Sequence, residues 1–242
     1  MLWQDEWLLD ASRLAIHLPT RTVVVADLHL GYEGARQRLG EAIPSAGLEE
    51  VLHPLESVMV REGTRRLIVA GDLFENVRLG GKHLIDAFRQ WLELRGVELL
   101  GVVPGNHDRG WPEMDLPMEP GGITLGRWRV VHGDQPLPRG RVIQGHEHPL
   151  IRLGRGVEGP CFLTRPHHLV LPAYTREAAG VNVLSSRRWE DYECQAIAGE
   201  EVLGFGSITT LRGRLAGGGK TTGREAVGGN LPPRGRRQGR IW

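Results

Sequence analysis

The chain has 242 residues, 40% of them apolar and 24% charged, which is ample for one large soluble domain. No uninterrupted apolar run approaches the ~20 residues of a spanning helix, and the opening MLWQDEWLLD lacks the basic-then-apolar pattern of a secretory signal. Cys161 and Cys194 are the only cysteines and form no CxxC, which argues against a disulfide framework or a Cys-rich zinc site and fits a reducing cytoplasm.

The net charge of +1 conceals an asymmetry. From residue 211 onward seven arginines and Lys220 face Glu225 alone, leaving +7, so residues 1–210 carry −6. The 211–242 segment is also rich in Gly and poor in apolar residues. We expect a body over 1–210 and a flexible basic tail over 211–242, either a solvated extension or a nucleic-acid tether.

Along the chain, two apolar runs around Asp10-Ala11-Ser12 predict a strand pair between Trp7 and Leu18. Thr22–Ala26 follows as a strand whose unbroken apolar run implies cover on both faces. Leu48, Val51, Leu52, Leu55 and Met59 recur at helical spacing, with Pro44-Ser45 as the expected start. LIVAG predicts a second buried strand. Leu84, Phe88, Trp91 and Leu92 share one helix face, and Glu98–Val103 reads as a third strand. Strand, helix, strand, helix, strand implies a parallel α/β unit. Beyond Gly110 short strand-like runs take over: ITLGRWRVVHG, RVIQG, PCFLT, HHLVLPA, YECQAIA and EVLGFGS. They predict a second, mixed or antiparallel sheet packed on the first.

Polar residues gather at the ends of these strands. The first ends in Asp27-Leu28-His29, the second in Gly71-Asp72 and the third in Gly105-Asn106-His107-Asp108. Later strands end in His132-Gly133-Asp134 and Gly145-His146-Glu147-His148. One such block is an ordinary turn; five in succession are hard to explain as unrelated turns. The set mixes carboxylate, amide and imidazole donors without thiolate. That suits Mn²⁺, Fe²⁺ or Zn²⁺ and is too rich in His for calcium. It supplies about enough ligands for two ions, and two ions ~3.5–4 Å apart form a clamp for displacement at phosphorus.

In the order D-x-H, G-D, G-N-H-D, V-H-G and G-H-x-H, residues 27–148 resemble the calcineurin-like metallophosphoesterase superfamily. The resemblance implies an α/β fold, a four-layer αββα sandwich of two mixed sheets flanked by helices. It also implies two divalent ions, Mn²⁺ foremost with Fe²⁺ or Zn²⁺ as alternatives. One would sit on Asp27, His29, Asp72 and His148, the other on Asp72, Asn106, His132 and His146, with Asp72 bridging. His107 corresponds to the family's general acid, or transition-state stabiliser. The family often carries Asp three residues after the metal-binding aspartate of the second block; here that position is Glu75, one methylene longer. Asp108 is the other candidate for steadying His107. Arg109 is a candidate for pairing with substrate phosphate, and Trp111 could overlook the metals. The remaining histidines and most tryptophans read as packing or surface residues.

GHEHP, PCFL, HHLVLPAYT and AGVNVL look like the small bacterial and archaeal phosphoesterases that include DNA-ligase-associated enzymes. This implies a phosphodiester substrate, DNA among the candidates, with DNA-repair proteins as partners. The alternatives are a small-molecule enzyme acting on cyclic nucleotides or phosphomonoesters, and a metal-holding module without turnover.

Overall fold

The computed structural model describes residues 1–217, apart from 76, 109–114, 155, 177 and 178. The chain opens with β1 (Leu2–Trp3), β2 (Trp7–Asp10), β3 (Leu14–His17) and β4 (Thr22–Val25). Two helices follow, α1 (Tyr32–Arg38) and α2 (Leu48–Arg61), then β5 (Arg66–Val69), α3 (Val77–Arg95) and β6 (Glu98–Val102). These strands make a six-stranded sheet in sequence order. β4, β5 and β6 are parallel, and the earlier strands form an antiparallel meander beside β4.

The second half contributes β7 (Ile123–Leu125), β8 (Trp128–Val131), β9 (Arg141–Gln144), β10 (Pro149–Gly154), β11 (Val157–Arg165) and β12 (His168–Val170). β13 (Val181–Asn182), β14 (Glu193–Ala198), β15 (Glu201–Ser207) and α4 (Ile208–Gly217) complete it. The nine strands run β13-β10-β11-β12-β9-β8-β7, with β14 joined to β11 and β15 to β14. β8, β9 and β12 are mutually parallel within this otherwise largely antiparallel sheet.

The unbroken apolar strands have a physical origin. Side chains alternate across a strand, and here both faces are covered. Val23, Val25, Leu67 and Val69 pack against Leu52, Leu55, Phe88 and Trp91 of α2 and α3. Val24, Ala26, Ile68 and Ala70 meet Val130, Ile143, Phe162 and Leu169 of the second sheet. On that sheet's outer face, Cys161, Leu163, Val170 and Cys194 pack with Trp189, Tyr192, Ile208 and Leu211. The layers are therefore helix, sheet, sheet, and a thinner outer layer of α4 and short 3₁₀ turns. No described helix is long and apolar enough to cross a membrane.

Several details differ from the sequence reading. α1 has one buried residue, Ala35, so it carries no apolar periodicity to detect. α2 starts at Leu48 with Gly47 as N-cap, not at Ser45, whose hydroxyl instead accepts from the Gln37 amide at 2.8 Å. β10 and the two-residue strands went unread. The expected boundary at residue 211 falls inside α4, where Leu211 is buried in the outer core. Residues 218–242 of the expected tail lie outside the described residues.

A buried polar chain underlies the end of β9. Tyr192 donates to His168 Nδ1 at 2.6 Å, His168 Nε2 donates to Gln144 Oε1 at 2.8 Å, and Gln144 is followed by the Gly145 turn. Burial, aided by Arg165 and Arg188, pushes the His168 pKa down to about 4, so its ring is neutral. An unfolded histidine has a pKa near 6.5. The neutral ring thus contributes its full stability above pH ~6.5 and loses it as pH falls towards 4. The loss amounts to about 3 kcal/mol across that window. Urea denaturation of the wild type and of His168→Gln, at pH 7 and pH 4, checks this. The variant should show a pH-dependent loss smaller by about that amount; equal losses would mean that His168 is not the titrating group.

Candidate metal centre

Because β4, β5 and β6 are parallel, their carboxyl ends share one sheet edge. Asp27 and His29 follow β4, Asp72 follows β5, and Asn106-His107-Asp108 follow β6. The second sheet brings His132 from the end of β8 and His146-Glu147-His148 from the β9–β10 connection. Main-chain bonds stitch these ends together: Asp27 N–H to Gly71 O at 3.0 Å, His29 N–H to Asp72 O at 2.9 Å, and Gly145 N–H to His132 O at 3.0 Å.

The backbone here is unusual. Nine described non-glycine residues have positive φ, and five of them are Asp27, His29, Asp72, His146 and His148. Left-handed conformations of such residues cost about 1–3 kcal/mol each and persist only where the surroundings enforce them. The surroundings do so: the His146 amide donates to Asp27 Oδ2 and the His107 amide to Asp72 Oδ1, both at 2.9 Å. The glycines of the blocks permit the close approach. A Cβ on Gly71 would lie 2.0 Å from His132 Nδ1, and one on Gly105 would lie 2.0 Å from Asp72 Oδ1.

Three groups of donor atoms converge: Asp27, His29 and His148; Asp72, His132 and His146; and His29, Asp72 and His107. Asn106 Oδ1 lies 3.3 Å from His132 Nε2, on the same side as Asp72 Oδ2 at 3.4 Å. Asp72 Oδ2 is also 4.0 Å from His29 Nε2, so this carboxylate stands between the two halves. The structure thus gathers all seven residues expected as ligands. Two atoms show that the set suits cations: Asp27 Oδ1 and His29 Nε2 are buried without a hydrogen-bond partner. Asp27 Oδ1 has imidazole nitrogens of His148 and His132 at 3.4 and 3.7 Å, yet none in hydrogen-bonding geometry.

The electrostatics agree. Burial opposes ionisation of Asp72, but the His132 ring and the His107 amide outweigh it and hold its pKa down at about 2. Burial likewise opposes a charged His132, but Asp72 and Asp27 push its pKa up to about 9. The two buried carboxylates therefore demand positive charge, which a proton on His132 or a divalent ion can supply.

His107 sits at the rim, its side chain 34% exposed. Its Nδ1 donates to the main-chain oxygen of Glu75 at 2.8 Å, which leaves Nε2 as the free ring nitrogen. Its ring meets that of His29 edge-on, with centroids 4.8 Å apart. Asp108 is a correction to the sequence reading. Its carboxylate accepts from the amides of Leu73 and Gly105 (Oδ2, 3.2 and 3.0 Å) and Phe74 (Oδ1, 3.2 Å). Buried and held by three backbone amides, it braces the loop after β5, and none of its described bonds reaches His107. Arg109 and Trp111 lie outside the described residues. Glu147, between the two histidines of its block, pairs with Arg188. A separate cleft of about 730 Å³, lined by Arg13, Arg176, Tyr174, Glu33 and Glu50 among others, includes none of the candidate ligands.

No protein-family model matches the chain, and no curated protein matches it. Among solved structures, it is similar to the nuclease MPE of Pseudomonas putida. The TM-score is 0.64 at 22% identity, covering 82% of this chain and 94% of that one. A weaker likeness, to the phosphoesterase YfcE of E. coli, has a TM-score of 0.37 at 13% identity over 74% of this chain and 94% of that one. Two stacked mixed sheets, with the donor-bearing loops gathered at one edge, give this chain the metallophosphoesterase fold.

Proposed function

We propose that the protein is a two-metal phosphoesterase that hydrolyses phosphodiester bonds, with DNA as its substrate class. One observation carries this reading: acid, amide and imidazole donors from five strand ends converge around two buried donor atoms that lack a partner. Divalent ions held there, Mn²⁺ foremost, would supply the Lewis-acid charge that activates water and neutralises phosphoryl oxygens. The chain's own residues do the rest. Asp72 lies between the two halves of the centre, Asn106 adds an amide oxygen, and His107, as an imidazolium whose Nδ1–H stays on the Glu75 carbonyl, would give its Nε2 proton from the solvent side to the departing oxygen.

The similar Pseudomonas putida protein is a nuclease, in keeping with a nucleic-acid substrate here. The −6 charge of residues 1–210 disfavours a long duplex footprint, since duplex binding draws on basic surface. We therefore favour single strands or ends, and assign the basic 218–242 segment the role of tether. Action in the cytoplasm beside DNA-repair proteins belongs to the same proposal. The acidic body equally favours a second reading, hydrolysis of cyclic nucleotides or phosphomonoesters. A Mn²⁺-supplemented screen of single-stranded DNA, duplex DNA, cyclic nucleotides and monoesters separates them. Cleavage of single-stranded DNA is the expected result, and turnover of monoesters alone would overturn the diester reading.

A further inference from the structure

The carboxylate of Glu75 has a choice of two histidines, and it takes the one inside the metal centre. Oε2 accepts from His29 Nδ1 at 2.7 Å but stands 3.6 Å from His107 Nδ1. His107 is served instead by the main-chain oxygen of the same residue at 2.8 Å. The backbone entering Glu75 is anchored without the side chain, because the Glu75 amide donates to Leu30 O at 3.1 Å. The His29 bond is well sheltered: the side chains are 5% and 20% exposed. With its proton directed at Glu75, His29 presents its other nitrogen, Nε2, as the buried unpartnered atom facing Asp72. Asp108 is engaged elsewhere: its described bonds are to three backbone amides, and none is to His29 or His107.

We propose that Glu75 is a positioning residue for metal binding: its carboxylate sets the tautomer and ring orientation of His29, while its main chain alone holds His107. This rests on the two-metal reading above. Its physical basis is that a carboxylate behind a ligating imidazole fixes the ring and raises its basicity. Loss of such a partner typically costs about 10–100-fold in metal affinity or activity.

The test is calorimetric titration of metal-stripped wild type, Glu75→Ala and Glu75→Gln with Mn²⁺, followed by kinetics over a range of Mn²⁺. Glu75→Ala should lose about 10–100-fold in affinity at one of two sites and leave the other unchanged. Excess Mn²⁺ should then restore most of kcat, equally for a DNA diester and for bis-nitrophenyl phosphate. Glu75→Gln keeps shape and an acceptor oxygen, so it should fold as wild type and show a smaller shift at the same site. Unchanged Mn²⁺ affinity would overturn the proposal. So would a kcat loss that excess Mn²⁺ cannot repair and that is larger for the poorer leaving group, since that assigns the carboxylate to His107. The titration needs no turnover. A wild type that binds two ions but cleaves no phosphoester would therefore defeat the proposed function and leave the role of Glu75 standing.

Discussion

Replacing Asp72 with asparagine should strip the centre of both ions and abolish most activity. Its Oδ2 stands 3.4 Å from His132 Nε2 and 4.0 Å from His29 Nε2, so one carboxylate faces ligands of both halves. Asparagine tolerates the left-handed conformation at φ 48°, and its amide oxygen can still accept the His107 amide. The fold should therefore survive while the bridging negative charge is lost. In a two-ion centre several kcal/mol of charge stabilisation would rest on the ions, so kcat should fall by about 10³-fold or more. His29→Ala, by contrast, should mainly empty one site. Elemental analysis of both variants after gel filtration checks this; two tightly held ions in Asp72→Asn would show that the carboxylate does not bridge.

His107→Ala should leave both ions in place and still cost much of the rate. Its Nδ1 is committed to the Glu75 carbonyl, and the side chain is one-third exposed at the rim, where Nε2 can meet a leaving group. Positioned proton transfer contributes about 10²–10⁴-fold. That loss should appear on a nucleotide diester, whose sugar alkoxide needs a proton, and largely vanish on bis-nitrophenyl phosphate, whose leaving group does not. The difference reads directly as transition-state free energy. Equal losses on the two substrates would assign His107 to charge stabilisation. Loss of an ion would make it a ligand, as its place beside His29 and Asp72 also permits.

The residues of the candidate centre were legible because each follows a buried strand. The Val23–Ala26 run announces where β4 ends, and a polar residue just beyond it must lie at the carboxyl edge. The parallel β4, β5 and β6 then force three such ends together. The partners of the carboxylates were not legible. Asp108 was the sequence candidate behind His107, with Glu75 one methylene longer than the family pattern, and the path of the loop after β5 decides their roles. That loop turns three amides onto Asp108 and leaves Glu75 to reach His29. α1 went unseen for want of an apolar stripe. His168 read as a surface or packing residue because a lone histidine carries no signal of the Tyr192–Gln144 chain that buries it.

The central claim is most directly tested by adding Mn²⁺ stepwise to chelator-stripped protein while following hydrolysis of bis-nitrophenyl phosphate. A two-ion centre predicts no turnover in the stripped protein and a rise that levels off at two ions per chain. Full turnover without metal, or a plateau at a single ion, would contradict it.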